Sequence, residues 1–103
     1  MSNSMDIKSL TEEMHKFVNS KGWYDANSSR IQSARNLAIS LNLETAEVLE
    51  LFQWSENCDN KDDLASELAD VSLYLLQLAS ISGIDLEEAI MNKLSLNSKR
   101  EWN

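Results

Sequence analysis

Glu44 with Glu47, and Glu67 with Asp70, each stand three residues apart in stretches of helical periodicity. On a helix such i, i+3 pairs project from one face, so each pair can offer two carboxylates to a common point. Glu44 is out of place. The apolar residues around it recur as Leu37, Leu41, Val48 and Leu51, the stripe of a core-facing helix. At 100° per residue, Glu44 lies within about 60° of each of these four neighbours. A carboxylate in such a stripe must be paired, protonated or bound to a metal, because an unpaired buried charge is costly.

Four carboxylates from two antiparallel helices can converge on one hard cation. An all-oxygen set without His or Cys selects magnesium, with manganese as a possible substitute. Such sites keep positions open for water and for phosphate oxygens, and Lys93, Asn97 and Arg100 offer donors for phosphates. The set reads as metal-assisted phosphoryl or nucleotidyl transfer to water. The Glu-x-x-His of di-iron bundles is absent, and so is a Gly-rich phosphate loop.

The elements that must position these residues are helices. The first is expected over about Asp6 to Lys21, with Ile7, Leu10, Met14, Phe17 and Val18 on its apolar face and Gly22 ending it. His15 lies off that stripe and reads as solvated. An Asn- and Ser-rich connection follows from Trp23 to Ser33. Trp23 and Tyr24 in it either cap the core or offer a stacking platform for a flat ligand. The second helix is expected from Ser33 or Ala34 to Trp54, with Glu50 solvated. After an acidic turn from Ser55 to Lys61, the third runs over about Asp62 to Ser82, with Asp62 or Asn60 near its N-cap. Its core face is expected to be Leu64, Leu68, Val71, Leu75 and Leu78, widened by Ala65, Ala69, Leu76 and Ala79. Glu67, Asp70 and Tyr74 lie on the other side with Asp63, Ser66 and Gln77, and taken alone this side reads as a solvent face. Gly83 ends that helix, and Asp85 with Glu88 caps a fourth. There Leu86, Ala89 and Ile90 mark a core face, and Lys93 falls on it.

The totals agree with an all-α fold in a single domain, residues 1–103: there is no proline, two glycines, and little strand-like alternation. So small a helical unit buries a limited core, which favours self-association. The net charge of −8 disfavours nucleic acid as a partner. An acidic protein handling a polyanion needs a metal between the two. Cys58 is alone and reads as a half-buried small residue, so neither a disulfide nor a zinc site is expected. No signal peptide or membrane-length apolar run is expected, which makes the cytoplasm the default location. The segment Met1–Met5 is expected to fray.

Together the motifs resemble a known family. Glu44-Thr-Ala-Glu47 followed by Glu67-Leu-Ala-Asp70 is similar to the E-x-x-E…E-x-x-D signature of MazG-like nucleoside triphosphate pyrophosphohydrolases. Arg35-Asn36-Leu37 before it, Leu51-Phe52-Gln53-Trp54 after it and Tyr74 four residues past Asp70 resemble the dCTP pyrophosphatase-like branch. Lys93, Asn97 and Arg100 match that branch's K-x-x-x-N-x-x-R segment. Members often continue with Tyr-Pro, where this sequence has Glu101-Trp102-Asn103.

The resemblance implies a magnesium-dependent, four-helix, all-α enzyme acting as a homodimer or homotetramer. It would hydrolyse a (deoxy)nucleoside triphosphate to the monophosphate and pyrophosphate, in house-cleaning or in control of the dNTP pool. Glu44, Glu47, Glu67 and Asp70 would hold the metal, and one would help deprotonate the attacking water. Tyr74, Lys93, Asn97 and Arg100 would bind phosphates, while Trp54 and Trp23 would contact the base. Phe17, a flat side chain on the first helix, is a third base-binding candidate. The alternatives are a dUTPase-like or (p)ppGpp-type hydrolase on the same fold, or a non-catalytic helical interaction module. A pure interaction module has no use for Glu44 within an apolar stripe.

Overall fold

The structure, a computed structural model, describes residues 4–101. Of the expected frayed segment, Met1–Asn3 lies outside the described residues, as do Trp102 and Asn103. Among the described residues the architecture is all-α, with four helices: α1 Ile7–Ser20, α2 Ala34–Glu50, α3 Lys61–Ile81 and α4 Leu86–Lys99.

Each helix starts at a side-chain cap. Asp6, Ser33, Asn60 and Asp85 accept from the backbone N–H three residues on, satisfying a donor that the first turn leaves free. Two helices stop at glycine. After α1, Gly22 N–H donates to Asn19 O and Trp23 N–H to Val18 O; after α3, Gly83 N–H donates to Ser80 O and Ile84 N–H to Ala79 O. These are Schellman closures, and they require the positive φ of 72° and 71° that the two glycines adopt.

α2 is shorter than expected. It ends at Glu50, and residues 51–54 form turns. Phe52 N–H bonds to Leu49 O and Gln53 N–H to Glu50 O, so three-residue spacing replaces the α ladder before Trp54.

α3 is the central element, packing along α2 and across α1. Its inward side is only part of the leucine stripe: Leu64, Val71 and Leu78 are half-buried, and Leu76 and Ala79 of the widened face are buried as expected. Gln77 is buried with them, whereas Leu68 and Leu75 are 49% and 41% exposed. The side bearing Asp70, Tyr74 and Gln77 turns toward α1 and the connection after it, so this polar side lines a cavity and is no solvent face. Met14, Val18 and Leu37 complete the small core. The expected core face of α4 is also uncovered: none of its residues is buried, and Lys93 is exposed.

The expectation about apolar runs is corrected too. α3 is long and apolar enough to cross a membrane by length and composition, with a mean hydropathy of 1.3 over its most apolar window. Glu67 and Asp70 fall within the helix, and carboxylates at a bilayer centre are costly.

His15 is not simply solvated. Its Nδ1 lies 2.5 Å from Tyr24 Oη and its Nε2 2.7 Å from Ser80 Oγ. Gln77 Nε2 donates to the same phenol oxygen. Both ring nitrogens are thus within hydrogen-bond reach of a hydroxyl that can donate or accept. This relay ties α1, the following connection and α3 together. Burial pushes the Tyr24 phenol above its ordinary value, so it stays a donor.

Candidate active site

α2 and α3 pack side by side and bring Glu44, Glu67 and Asp70 together. One carboxylate oxygen from each lies within 4.8 Å of the others. The i, i+3 spacing of Glu67 and Asp70 supplies two of them from one face, and Glu44 meets them from the stripe of α2. Oε2 of Glu44 and Oε2 of Glu67 are shut off from solvent without a hydrogen-bond partner. Desolvation is the first cause raising Glu44 above the ordinary glutamate value, with the charges of Glu47 and Asp70 adding to it. Glu67 is raised as well, by desolvation first, then by contact with Glu47 and the charges of Glu47, Glu44 and Asp70. Glu47 is exposed and stands at the rim, close enough to act on both.

Carboxylates crowded in this way, with orphaned oxygens, fit a hard divalent cation. A cation offers the missing partner for each sealed oxygen and removes the repulsion.

A cavity of about 550 Å³ opens beside Asp70. Tyr74, one turn further along α3, lines it, as do Phe17 and Trp23. Phe17 and Trp23 meet edge to face with ring centroids 5.7 Å apart, and the Arg30 guanidinium lies over the Trp23 ring at 5.1 Å. Trp54, in the turn after α2, is 90% exposed and is not part of this wall. Lys93 and Asn97 lie on α4 and Arg100 caps it; none of the three lines the cavity.

Arg30, Gln32, Asn36, Ser40 and Gln77 also line the cavity, and the sequence pattern marks none of them as a site residue, although Asn36 stands in the Arg35-Asn36-Leu37 stretch. The connection carrying Arg30 and Gln32 has no periodicity to read. Gln77 looked like part of a solvent face, yet it is 3% exposed. The one available signal was its i+7 spacing from Asp70, which puts both on one side of α3.

Residues 39–102 match the family model described as MazG-like. The chain belongs to the MazG-like family. Mouse dCTP pyrophosphatase 1 is 31% identical over 104 residues, covering 92% of this chain and 56% of that protein. The chain therefore spans about half the length of the dCTP pyrophosphatases it matches. A dATP/dGTP diphosphohydrolase of Salmonella phage PMBT28 is 45% identical over a shorter stretch, 38 residues, or 37% of this chain and 13% of the phage protein. Among solved structures, a pyrophosphatase from Archaeoglobus fulgidus DSM 4304 is similar with a TM-score of 0.78 and 30% identity, over 96% of this chain and 94% of that one.

Proposed function

We propose that this MazG-like chain hydrolyses a (deoxy)nucleoside triphosphate to the monophosphate and pyrophosphate. The observation that carries the reading is the meeting of Glu44, Glu67 and Asp70 within 4.8 Å, with Asp70 also lining a largely apolar cavity and two carboxylate oxygens lacking partners. The names of the relatives, dCTP pyrophosphatase and dATP/dGTP diphosphohydrolase, support the same class of substrate.

Glu44, Glu67 and Asp70 would hold the cation, magnesium in the first place and manganese as a substitute, with Glu47 beside them. Bound there, the cation supplies charge neutralisation between carboxylates and triphosphate, and Lewis-acid polarisation of the phosphoryl group. The chain's own residues do the rest. Glu47, exposed at the rim, is placed to take a proton from an attacking water. The water oxygen bonds to phosphorus, the α–β anhydride bond breaks, and pyrophosphate leaves. Tyr74, which lines the cavity one turn from Asp70, would offer its hydroxyl to a phosphate, and Phe17 and Trp23 would flank a base.

Self-association belongs to this reading. Leu68, Leu75, Ile90, Met91 and Leu94 are exposed on α3 and α4, more apolar surface than a lone chain covers. A homodimer or homotetramer would cover it and would bring Lys93, Asn97 and Arg100 of α4 to the triphosphate. House-cleaning or dNTP-pool control is the role such an activity serves.

The test is pyrophosphate release from a panel of NTPs and dNTPs, with and without magnesium. Release that needs the metal and is lost in Glu44→Gln supports the proposal. No release from any nucleotide overturns it.

A further inference from the structure

We propose that Gln77 reads the nucleobase: its side-chain oxygen accepts a hydrogen bond from an amino group, so cytosine or adenine is preferred to an oxo-bearing counterpart. The inference rests on the triphosphate-hydrolysing reading above and names a residue that decides which base is taken.

A glutamine amide has two N–H donors and one acceptor oxygen. Gln77 Nε2 donates to Tyr24 Oη at 3.2 Å and to Gln32 Oε1 at 2.8 Å, which uses both donors. The main chain fixes the orientation. Gln32 Nε2 donates to the backbone oxygen of Arg30 at 2.7 Å, and a carbonyl can only accept. Gln32 must therefore turn its nitrogen to Arg30 and its oxygen to Gln77, and Gln77 must answer with nitrogen. The reversed amide would set two carbonyl oxygens 2.8 Å apart. What remains for a ligand is Oε1. It takes no hydrogen bond from the described residues, and Gln77 lines the cavity, so this oxygen is the group the side chain has left to offer there.

The position suits a base edge. Gln77 is seven residues past Asp70 on the same side of α3, about 10 Å along the helix axis. A nucleoside spans a comparable length from its 5′ oxygen to the far edge of its base. Phe17, Trp23 and Leu73 offer apolar contact to the base faces. Reading the edge then falls to the polar groups, and Gln77 is held by two hydrogen bonds that leave its oxygen over, whereas Gln32 uses its oxygen on Gln77. Cytosine N4 and adenine N6 are donors, whereas uracil or thymine O4 and guanine O6 are acceptors. An acceptor opposite Oε1 leaves both oxygens unpaired in a confined site, the arrangement by which enzymes reject near-isosteric substrates.

The experiment is steady-state kinetics on wild type and Gln77→Leu with three triphosphates: dCTP, dUTP and the deoxynucleotide of pyrimidin-2-one, which lacks the 4-amino group. Wild type is expected to favour dCTP over both others by at least about tenfold in kcat/KM, and Gln77→Leu to bring the three within about threefold. If Gln77 only supports the fold, all three fall together with their ratios unchanged, which overturns the proposal. Equal wild-type rates on dCTP and the pyrimidin-2-one, or a preference for dUTP, overturn it without any variant. Wild type that releases pyrophosphate from none of the triphosphates removes the hydrolytic reading itself, a failure visible before any ratio is taken.

Discussion

A carboxylate oxygen of Glu44 on α2 lies within 4.8 Å of one from Glu67 on α3, and each of these residues keeps its Oε2 sealed and without a partner. Two carboxylates at this separation repel each other and have lost part of their hydration. The fold tolerates the arrangement at a cost, which proton or metal can remove.

That cost has a sign. Both residues are raised above the ordinary glutamate value in the folded chain, so the folded state holds protons that the unfolded state has already released. The metal-free protein is therefore expected to lose stability as pH rises from the ordinary glutamate value through the raised ones, with the penalty in full above them. Magnesium should restore more stability at neutral pH than at about pH 5, where protons compete for the same oxygens. Thermal melts across pH, with and without magnesium, check this. In Glu44→Gln the fall should flatten; an unchanged slope would mean that other groups set the pH dependence.

Neutralising ligands should separate activity from folding. Glu44→Gln and Asp70→Asn are each expected to lower turnover by at least about two orders of magnitude while melting as high as wild type or higher, because repulsion is relieved. Glu47→Gln should behave differently. As a base at the rim it should lose turnover, by about 10²- to 10⁴-fold, yet keep most of the magnesium-induced rise in melting temperature. Loss of that rise in Glu47→Gln would make Glu47 a ligand like the others.

Much of this site is legible in the sequence, and the reason is Glu44. A charge in an apolar stripe is an exception to periodicity, and exceptions are readable. The four helices follow from the same periodicity, with Asp6, Ser33, Asn60 and Asp85 as caps and Gly22 and Gly83 as stops. Which side of α3 faces inward is legible only in part: Leu76 and Ala79 of the expected face are buried, but Gln77 from the polar side is buried with them. Its leucines at 68 and 75 make the stronger stripe, but in the single chain the polar side at 70, 74 and 77 packs inward around the cavity. A stripe reports that a face is to be covered, without saying whether this chain or another covers it. The role of His15 was equally hidden, since its partners Tyr24 and Ser80 come together only through the tertiary fold.

The two tryptophans should part company. Trp23 lines the cavity, so Trp23→Ala is expected to raise the Michaelis constant by about one to two orders of magnitude, the worth of one stacked base, with a smaller effect on turnover. Trp23→Phe should recover most of the loss. Trp54 is 90% exposed, so Trp54→Ala should change stability by no more than about 0.5 kcal/mol. Kinetics paired with melting curves distinguish the cases. A raised Michaelis constant in Trp54→Ala, with an unchanged melt, would put that ring against the nucleotide across a subunit contact.

The last expectation concerns assembly. Leu75 on α3 and Met91 on α4 are 41% and 60% exposed, and no residue of α4 is buried within the chain. Apolar side chains gathered on two neighbouring helices are covered most simply by the same surface of a second copy, as in an isologous dimer. The paired change Leu75→Glu with Met91→Glu puts two charges at that surface, adding to a net charge that is already −8. It should yield a folded monomer at concentrations where wild type sediments as a dimer or tetramer. It should also lower hydrolysis, because Lys93, Asn97 and Arg100 line no part of the cavity in a single chain. Sedimentation velocity with activity measured at the same concentrations decides the matter. Wild type that is monomeric and fully active would refute the assembly and leave the phosphate contacts to Tyr74 and the groups lining the cavity.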